Sequence, residues 1–589
     1  MKSVLRSGVS LAAVAACGFA LANAASAASA ASAASADSAT RVDNFRLNDD
    51  RGATHELYYL SDMKAVVLFA QGNACATANS SAASLKALRD QYKSQGVVVL
   101  GINSNLNESR EAIIKATADA GIDMPILTDD TQLIGESLGL TKNGEVLVIN
   151  PATWELAYRG NVEQAGDAVS AVVGGQAVKA AQTPVTGCAI AMPERAKRAT
   201  HANISYTKTI APILEDKCVA CHRDGGIGPW AMSSYELVRG FAPMIREVVR
   251  TQRMPPWHAD PHYQAFSNDR SLTKEQAKTL VHWIEAGAPR GAGADPLLSQ
   301  KKTWSEWSLG TPDLIVKTPP FKVPATGVVP YQNVSVENPL DHDVWIRAVD
   351  YVPGARSVLH HVIASAGSGR FGGASLNNYV PGAGPLIIPD DNGIFLPKGA
   401  KFQFQMHFTT NGKEATDVTQ FGMYFMKDPP KYNYRALIFA QPGLRIPAGA
   451  KEHTEKASQT LKKDSLVFST HPHSHFRGKS AKFVAYLPDG SQQVLLNVPR
   501  YDFNWQTTYE MKEPVMLPAG TRIEYTTVFD NSSQNKANPD PTREIRWGEQ
   551  TTEEMVFGVV RYRQLVEDGS ANLPERPGEF SADFTKIKA

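Results

Sequence analysis

Cysteine is scarce in this chain: there are five in 589 residues, and none beyond Cys221. The long C-terminal part therefore has no disulfides available and must hold together by burial alone. An excess of charge of either sign is also missing. With 60 Lys+Arg against 59 Asp+Glu, nothing points to a nucleic-acid partner or an acidic substrate surface. Beyond the N-terminal segment no run is long and apolar enough to span a bilayer, so no transmembrane segment is expected in the mature chain.

The exception at the start is an address. Met1 to Arg6 reads M-K-S-V-L-R, and an apolar run from Val9 to Ala22 follows, as in a secretory signal peptide. Cleavage near Ala22-Asn23-Ala24 would remove residues 1–24. A lipobox-like Val14-Ala15-Ala16-Cys17-Gly18 offers an alternative, with a lipid anchor on Cys17. Residues 25–40 are an Ala/Ser-rich repeat too poor in apolar bulk to pack, hence a linker. The expected location is periplasmic or secreted, and the length suggests three or four domains.

Residues 41–192 alternate short β-rich runs with helical patterns. Ala65 to Ala70 and Val97 to Ser104 are continuous apolar runs, as in strands buried on both faces, and Leu85, Leu88 and Tyr92 share a helical face between them. A helix is expected over Glu108 to Ala120, and a closing hairpin from Glu145 to Asn150 and Leu156 to Gly160. This α/β unit resembles the thioredoxin-like fold of redoxin and peroxiredoxin proteins. Cys75 falls just past the first buried strand, where that family keeps its reactive thiol. A thiolate at a helix N-terminus has a lowered pKa. The motif is C-A-T-A, without the usual resolving cysteine, and Gly144 stands where the family has a cis-proline. Cys188 is left either to resolve a Cys75 intermediate or to lock it in a structural disulfide.

Residues 202–293 carry Cys218-Val219-Ala220-Cys221-His222, a haem c attachment motif. Two thiols one turn apart form thioethers to the haem vinyls, and the adjacent histidine ligates iron. A zinc knuckle would need a second ligand pair, and no other cysteine lies in this region. The segment resembles small all-α cytochrome c domains, including a closing helix from Thr273 to Ala288. The expected sixth ligand is Met254 in R-M-P-P-W, with Met232 and His258 as alternatives. One haem c is implied.

Beyond Trp304 the pattern becomes short alternating strands separated by Pro, Gly and Asn turns. This is the signature of antiparallel β-sandwiches, two by length, over 304–435 and 436–580. Seven of the fourteen histidines lie between His360 and His475. His360-His361 sits in an apolar strand, S-V-L-H-H-V-I, and His407 sits in F-Q-M-H-F. The stretch Val467 to Lys479, V-F-S-T-H-P-H-S-H-F-R-G-K, adds His471, His473 and His475. Met555 follows an acidic run. Alternate strand residues share a face, so H-x-H presents two imidazoles to one metal. Adjacent His360 and His361 point to opposite faces and can share a metal only where the strand bends or ends. A polar edge strand and, for Met555, simple core filling are the plainer readings.

In their order these clusters resemble the copper type II, ascorbate-dependent monooxygenases, the family of peptidylglycine α-hydroxylating and dopamine β-monooxygenases. The resemblance implies two copper ions. His360, His361 and His407 would hold the electron-storing one, and His473, His475 and Met555 the oxygen-activating, catalytic one. Arg477-Gly478-Lys479 follow at the matching spacing. His471 replaces the family's substrate arginine, and Phe557 and Val559 replace its Asn and Tyr, so a glycine-extended peptide is not the expected substrate. The expected activity is insertion of one atom of O₂ into a C–H bond. Electrons would come from ascorbate or a redox protein, through the fused cytochrome c domain. The small-molecule or peptide substrate is left unnamed. The alternatives are a copper-binding or copper-sensing protein without turnover, and a thiol-disulfide or peroxide oxidoreductase centred on Cys75.

Overall fold

The computed structural model describes residues 40–299, 305–367, 373–382 and 384–565. The signal, Cys17, the Ala/Ser-rich linker up to Ala39, and the boundary residues Trp304 and Phe580 lie outside these. Among the described residues no helix is long and apolar enough to cross a membrane.

The fully buried run Ala65–Ala70 is the central strand of a five-stranded sheet. Val97–Asn103 pairs parallel with it, Ile126–Thr128 extends that edge, and the hairpin Val146–Asn150 and Glu155–Gly160 closes the other edge antiparallel. Side chains alternate faces along a strand. Ala65, Val67 and Phe69 accordingly enter one core with the helices Ala82–Tyr92 and Val162–Val173, while Val66, Leu68 and Ala70 enter a second core. The middle helix, Arg110–Asp119, starts two residues later than the sequence pattern suggests. The Ser109 hydroxyl caps it by accepting from the Ala112 N–H. This is a thioredoxin-like α/β domain.

From Pro193 to Ser299 the regular elements are helical and short, apart from the 12-residue closing helix Lys274–Glu285. Thr273 and Gln276 form a capping box at its start, and buried Trp283 anchors it against Tyr206, Tyr235 and Leu214. An irregular segment then leaves this layer. Asp260 accepts from Arg110 at 2.8 Å and from Asn497, and Phe266 pairs with Met511, so Trp257, Ala259 and Phe266 belong to a β-region core.

Beyond residue 305 the described chain is strands and turns. Two mainly antiparallel sheets share one hydrophobic core: Gln332–Val336, Phe402–Phe408, Leu359–Gly367 and Gly373–Tyr379 form one, and Val344–Val352 with its neighbours the other. A second core is shared by the sheet Arg435–Ala440, Phe557–Gln564, Ser465–His473 and Tyr509–Leu517 and the sheet His453–Thr460, Arg522–Phe529, Gly478–Tyr486 and Gln492–Val498. With no disulfide in either, burial carries the stability, at about 1.5–3 kcal/mol for each large apolar side chain fully buried.

Candidate metal centre

Three strands bring five histidines together. The ladder between Leu359–Gly367 and Phe402–Phe408 shifts register between Leu359 and His361. His360 is the extra residue, and the bulge lets neighbours that would face apart turn toward one space. Their Nδ1 atoms lie 3.1 Å apart, and His361 stands directly opposite His407. One ring nitrogen from each of His360, His361 and His407 falls within 4.8 Å of the others.

The second group departs from the expected continuous strand. Ser465–His473 ends at His473, so His475 is placed by the turn that follows. The two rings are perpendicular, with centroids 5.2 Å apart. The turn is locked from several sides. The Tyr501 hydroxyl accepts from the Ser474 N–H and donates to its carbonyl, at 3.0 and 2.8 Å. The Glu554 carboxylate accepts from the backbone of His475 at 2.8 Å and of Arg477 at 2.6 Å. A Cβ on Gly478 would stand 2.6 Å from the Tyr501 ring, so only glycine fits. Burial lifts the Glu554 carboxyl to about 7. The two groups form one cluster, because the His361 and His473 centroids are 6.1 Å apart.

All five imidazoles are buried. Burial, reinforced by neighbouring imidazoles, holds His361 far below the usual histidine range. Burial also lowers His360 and His473 to about 4, His475 to about 3 and His407 to about 2. Neutral imidazole is the metal-binding form. The hydrogen bonds fix which nitrogen is free. His473 Nδ1–H donates to Gln506 Oε1 at 2.6 Å, and His475 Nδ1–H donates to the Glu553 carbonyl at 3.1 Å. Each Nε2 therefore carries a lone pair, as partners of a metal-ligating histidine require. His475 Nε2, His407 Nδ1, His360 Nε2 and His361 Nε2 are buried without any partner. Such orphans are costly, at about 1–3 kcal/mol each, unless something binds them. An all-imidazole donor set fits copper.

Met555 is buried one residue after Glu554. It packs with Phe557, Val559, Ala436, Ile438 and Trp547, next to the strand residue paired with His473. His471 is buried beside the cluster, with Nδ1 3.2 Å from Thr508 Oγ1 and Nε2 3.4 Å from the Asn378 amide. Two aromatic residues that the sequence left unmarked line the cluster. Phe503 stacks on His360 at 4.7 Å, and Tyr331 packs against His361, His407 and His475 with its hydroxyl buried and unpartnered. Neither these two nor Gln506 belongs to a recognisable motif.

At the haem motif, Cys218 and Cys221 are free thiols, raised by burial, Cys218 to about 12. His222 Nδ1–H donates to the Trp230 carbonyl at 3.1 Å, which leaves Nε2 for iron. This donor set fits a haem c. Met232 packs in the same helical core as Cys218, and its N–H donates to the His222 carbonyl at 2.8 Å. Met254 lines a cavity of about 280 Å³ with Trp257, His258, Leu272 and Arg500. His258, the other alternative sixth ligand, is buried there, and its Nε2 has no hydrogen-bond partner.

Cys75 and Cys188 form a disulfide with Cα atoms 5.7 Å apart. Cys75 is buried at the start of the helix Ala76–Ser80, Cys188 is exposed, and the Cys188 N–H donates to Cys75 Sγ. The Cys188 segment pairs with the loop at Gly144. Asn143 N–H donates to the Cys188 carbonyl at 2.8 Å and Ile190 N–H to the Thr141 carbonyl at 2.9 Å. Gly144 has φ +97°, and a Cβ on Gly187 would overlap the Asn143 carbonyl at 1.8 Å, so both glycines are required.

Residues 39–165 match the AhpC/TSA family. The match includes Cys75 and stops short of Cys188. No curated protein matches the chain. Among solved structures, a hypothetical protein from Sinorhizobium meliloti 1021 is 25% identical over 26% of this chain and 92% of its own, with a TM-score of 0.25. Peroxidoxin BcpB from Mycobacterium tuberculosis is 18% identical over 23% and 96%, with a TM-score of 0.21. A putative thiol:disulfide interchange protein DsbE from Chlorobium tepidum is 16% identical over 23% and 97%, with a TM-score of 0.21.

Proposed function

We propose that the chain is an exported oxidoreductase that hydroxylates a C–H bond with O₂, using copper held by the histidine cluster in two β-sandwiches. The observation that carries the reading is the set of buried, neutral imidazoles with ring nitrogens left without partners. His360, His361 and His407 would hold one ion, and His473, His475 and Met555 the other. Copper, when bound, supplies one-electron redox chemistry and a position at which O₂ is activated. The chain's own residues do the rest. Gln506 and Glu553 fix the tautomers of His473 and His475, Glu554 and Tyr501 hold the turn between them, and Phe503 and Tyr331 exclude water. The apolar side chains around Met555 suit a substrate presenting a C–H bond without a carboxylate. The balance is one O₂, one C–H, two electrons and two protons to one alcohol and one water. The electrons would enter through a haem c on Cys218, Cys221 and His222. Metal and haem quantification on the full chain is expected to give two coppers and one haem, and zero copper would end this reading.

A second reading is favoured by the family match and the disulfide. Cys75 and Cys188 would exchange disulfides, an outside thiolate attacking exposed Cys188 and releasing Cys75. In an insulin-reduction or peroxide assay, Cys75→Ser is expected to abolish turnover. A wild-type protein without turnover removes the reading.

A further inference from the structure

Four side chains outside the cluster just described converge where three segments meet. Glu136 comes from the short helix Leu133–Ser137 of the thioredoxin-like domain, and Glu194 and His201 come from the short helices Pro193–Ala196 and Arg198–Asn203 that follow that domain. His282 comes from the closing helix Lys274–Glu285. His282 Nε2 lies 2.7 Å from Glu136 Oε2, and His201 Nε2 lies 3.1 Å from Glu194 Oε2. One donor atom from each of Glu194, His201 and His282 falls within 4.8 Å of the others. The side chains are only 13%, 24%, 9% and 4% exposed, for Glu136, Glu194, His201 and His282 in turn.

We propose that Glu194, His201 and His282, with Glu136 bonded to His282 beside them, form a structural zinc site that staples the thioredoxin-like domain to the helical segment. The charges favour it. Two carboxylates balance the charge of a divalent cation, and zinc takes a mixture of imidazole nitrogen and carboxylate oxygen donors in tetrahedral sites. Glu194 Oε1 is engaged by Lys197 at 3.1 Å, which leaves Oε2 for the site. Glu136 Oε1 is buried with no partner at all. The two imidazoles are stacked, with centroids 4.3 Å apart and planes 11° from parallel. Parallel rings cannot aim their in-plane lone pairs at one ion, so zinc entry turns one of them. A site spanning three segments gains most of its affinity from the folded arrangement, and zinc bound there stabilises it in return.

The test is a Zn²⁺ titration of the full chain against a chromophoric chelator, with thermal melts at each step. Wild type, Glu194→Gln, Glu136→Gln and His201→Ala are compared. One equivalent is expected to weaken in each variant by at least the roughly 10–100-fold that disturbing even an outer-shell partner costs. The Zn²⁺-dependent rise in Tm should vanish with it. His407→Ala identifies equivalents held by the five-histidine cluster and is expected to leave this one in place. Glu194→Gln keeps the side-chain volume at a partly exposed position, so it separates lost ligation from lost folding. Should every equivalent and the Zn²⁺-dependent Tm rise survive in Glu194→Gln and His201→Ala, the four groups are an ion-pair clamp and the proposal is overturned.

Discussion

The disulfide region and the histidine cluster both gather chemically reactive side chains, yet they are completed in opposite ways. Cys75 and Cys188 satisfy each other, Cys75 Sγ accepts an additional N–H, and the adjoining loop is closed by backbone hydrogen bonds to Asn143 and Thr141. The region needs nothing further in order to be stable. The histidine cluster buries five imidazoles and leaves several of their nitrogens bare. A buried polar group without a partner is expensive, so a fold that keeps several together is built around something it binds. Substitutions in each region put this contrast to the test.

The largest effect is expected at the cluster. His407→Ala should remove a copper equivalent from the full chain, measured by elemental analysis. His407→Phe should in addition raise the stability of the copper-free protein, by about 1–3 kcal/mol, because it replaces an unpartnered buried nitrogen with an apolar edge. Unchanged copper in both would show that the bare nitrogens are not ligands, and the contrast between the two regions would lose its meaning.

At the disulfide the sign reverses. Cys75→Ser removes a cross-link spanning 113 residues. Chain-entropy arguments place the loss near 4–5 kcal/mol, and measured losses run from about 2 to 5 kcal/mol. Denaturant midpoints of the variant and of wild type, with and without reductant, measure it. Copper content should not change. A reduced wild type as stable as the oxidised protein would mean that the bond is redox machinery with little structural role.

A third prediction concerns a buried acid of the thioredoxin-like domain. Asp129 accepts from Ser104 Oγ at 2.8 Å and from the Gly135 N–H at 2.7 Å, yet complete burial raises its carboxyl to about 7. An acid with a raised folded pKa keeps its proton while the unfolded chain releases it. The folded state therefore binds more protons between about pH 4 and 7, and stability falls as pH rises through that window. The slope sums to on the order of 3 kcal/mol. Asp129→Asn should flatten it, and equal slopes in urea melts at pH 4.5 and 7.5 would contradict the assignment.

Much of this was legible from the chain. Ala65 to Ala70 and Val97 to Asn103 announced themselves because strands covered on both faces are apolar without interruption. The histidines announced themselves as H-H, Q-x-H and H-x-H, because members of the cluster are close in sequence. The bulge at His360 was legible only as a requirement. Tyr331, Phe503 and Gln506 were not legible at all. They reach the cluster from loops, and nothing local distinguishes a tyrosine or glutamine that packs on an imidazole from one in solvent. The pairing of Glu136 with His282, 146 residues apart, was hidden for the same reason.

Gln506 supplies the smallest and most specific test. Its side-chain NH₂ donates to the Phe503 carbonyl at 3.2 Å, which orients Oε1 to accept from His473 Nδ1–H. That one contact keeps the His473 lone pair on Nε2. Gln506→Leu preserves bulk and burial while removing the acceptor, so the ring can take the other tautomer or rotate. Changes to such outer partners cost about 10–100-fold in metal affinity. Copper competition titrations should show that loss for one of two equivalents, with the His360, His361 and His407 equivalent unaffected. Since His361 and His473 are neighbours, the result also measures how independent the two halves are. Equal weakening of both equivalents would make the five histidines a single coupled centre, and weakening of one alone would keep them two.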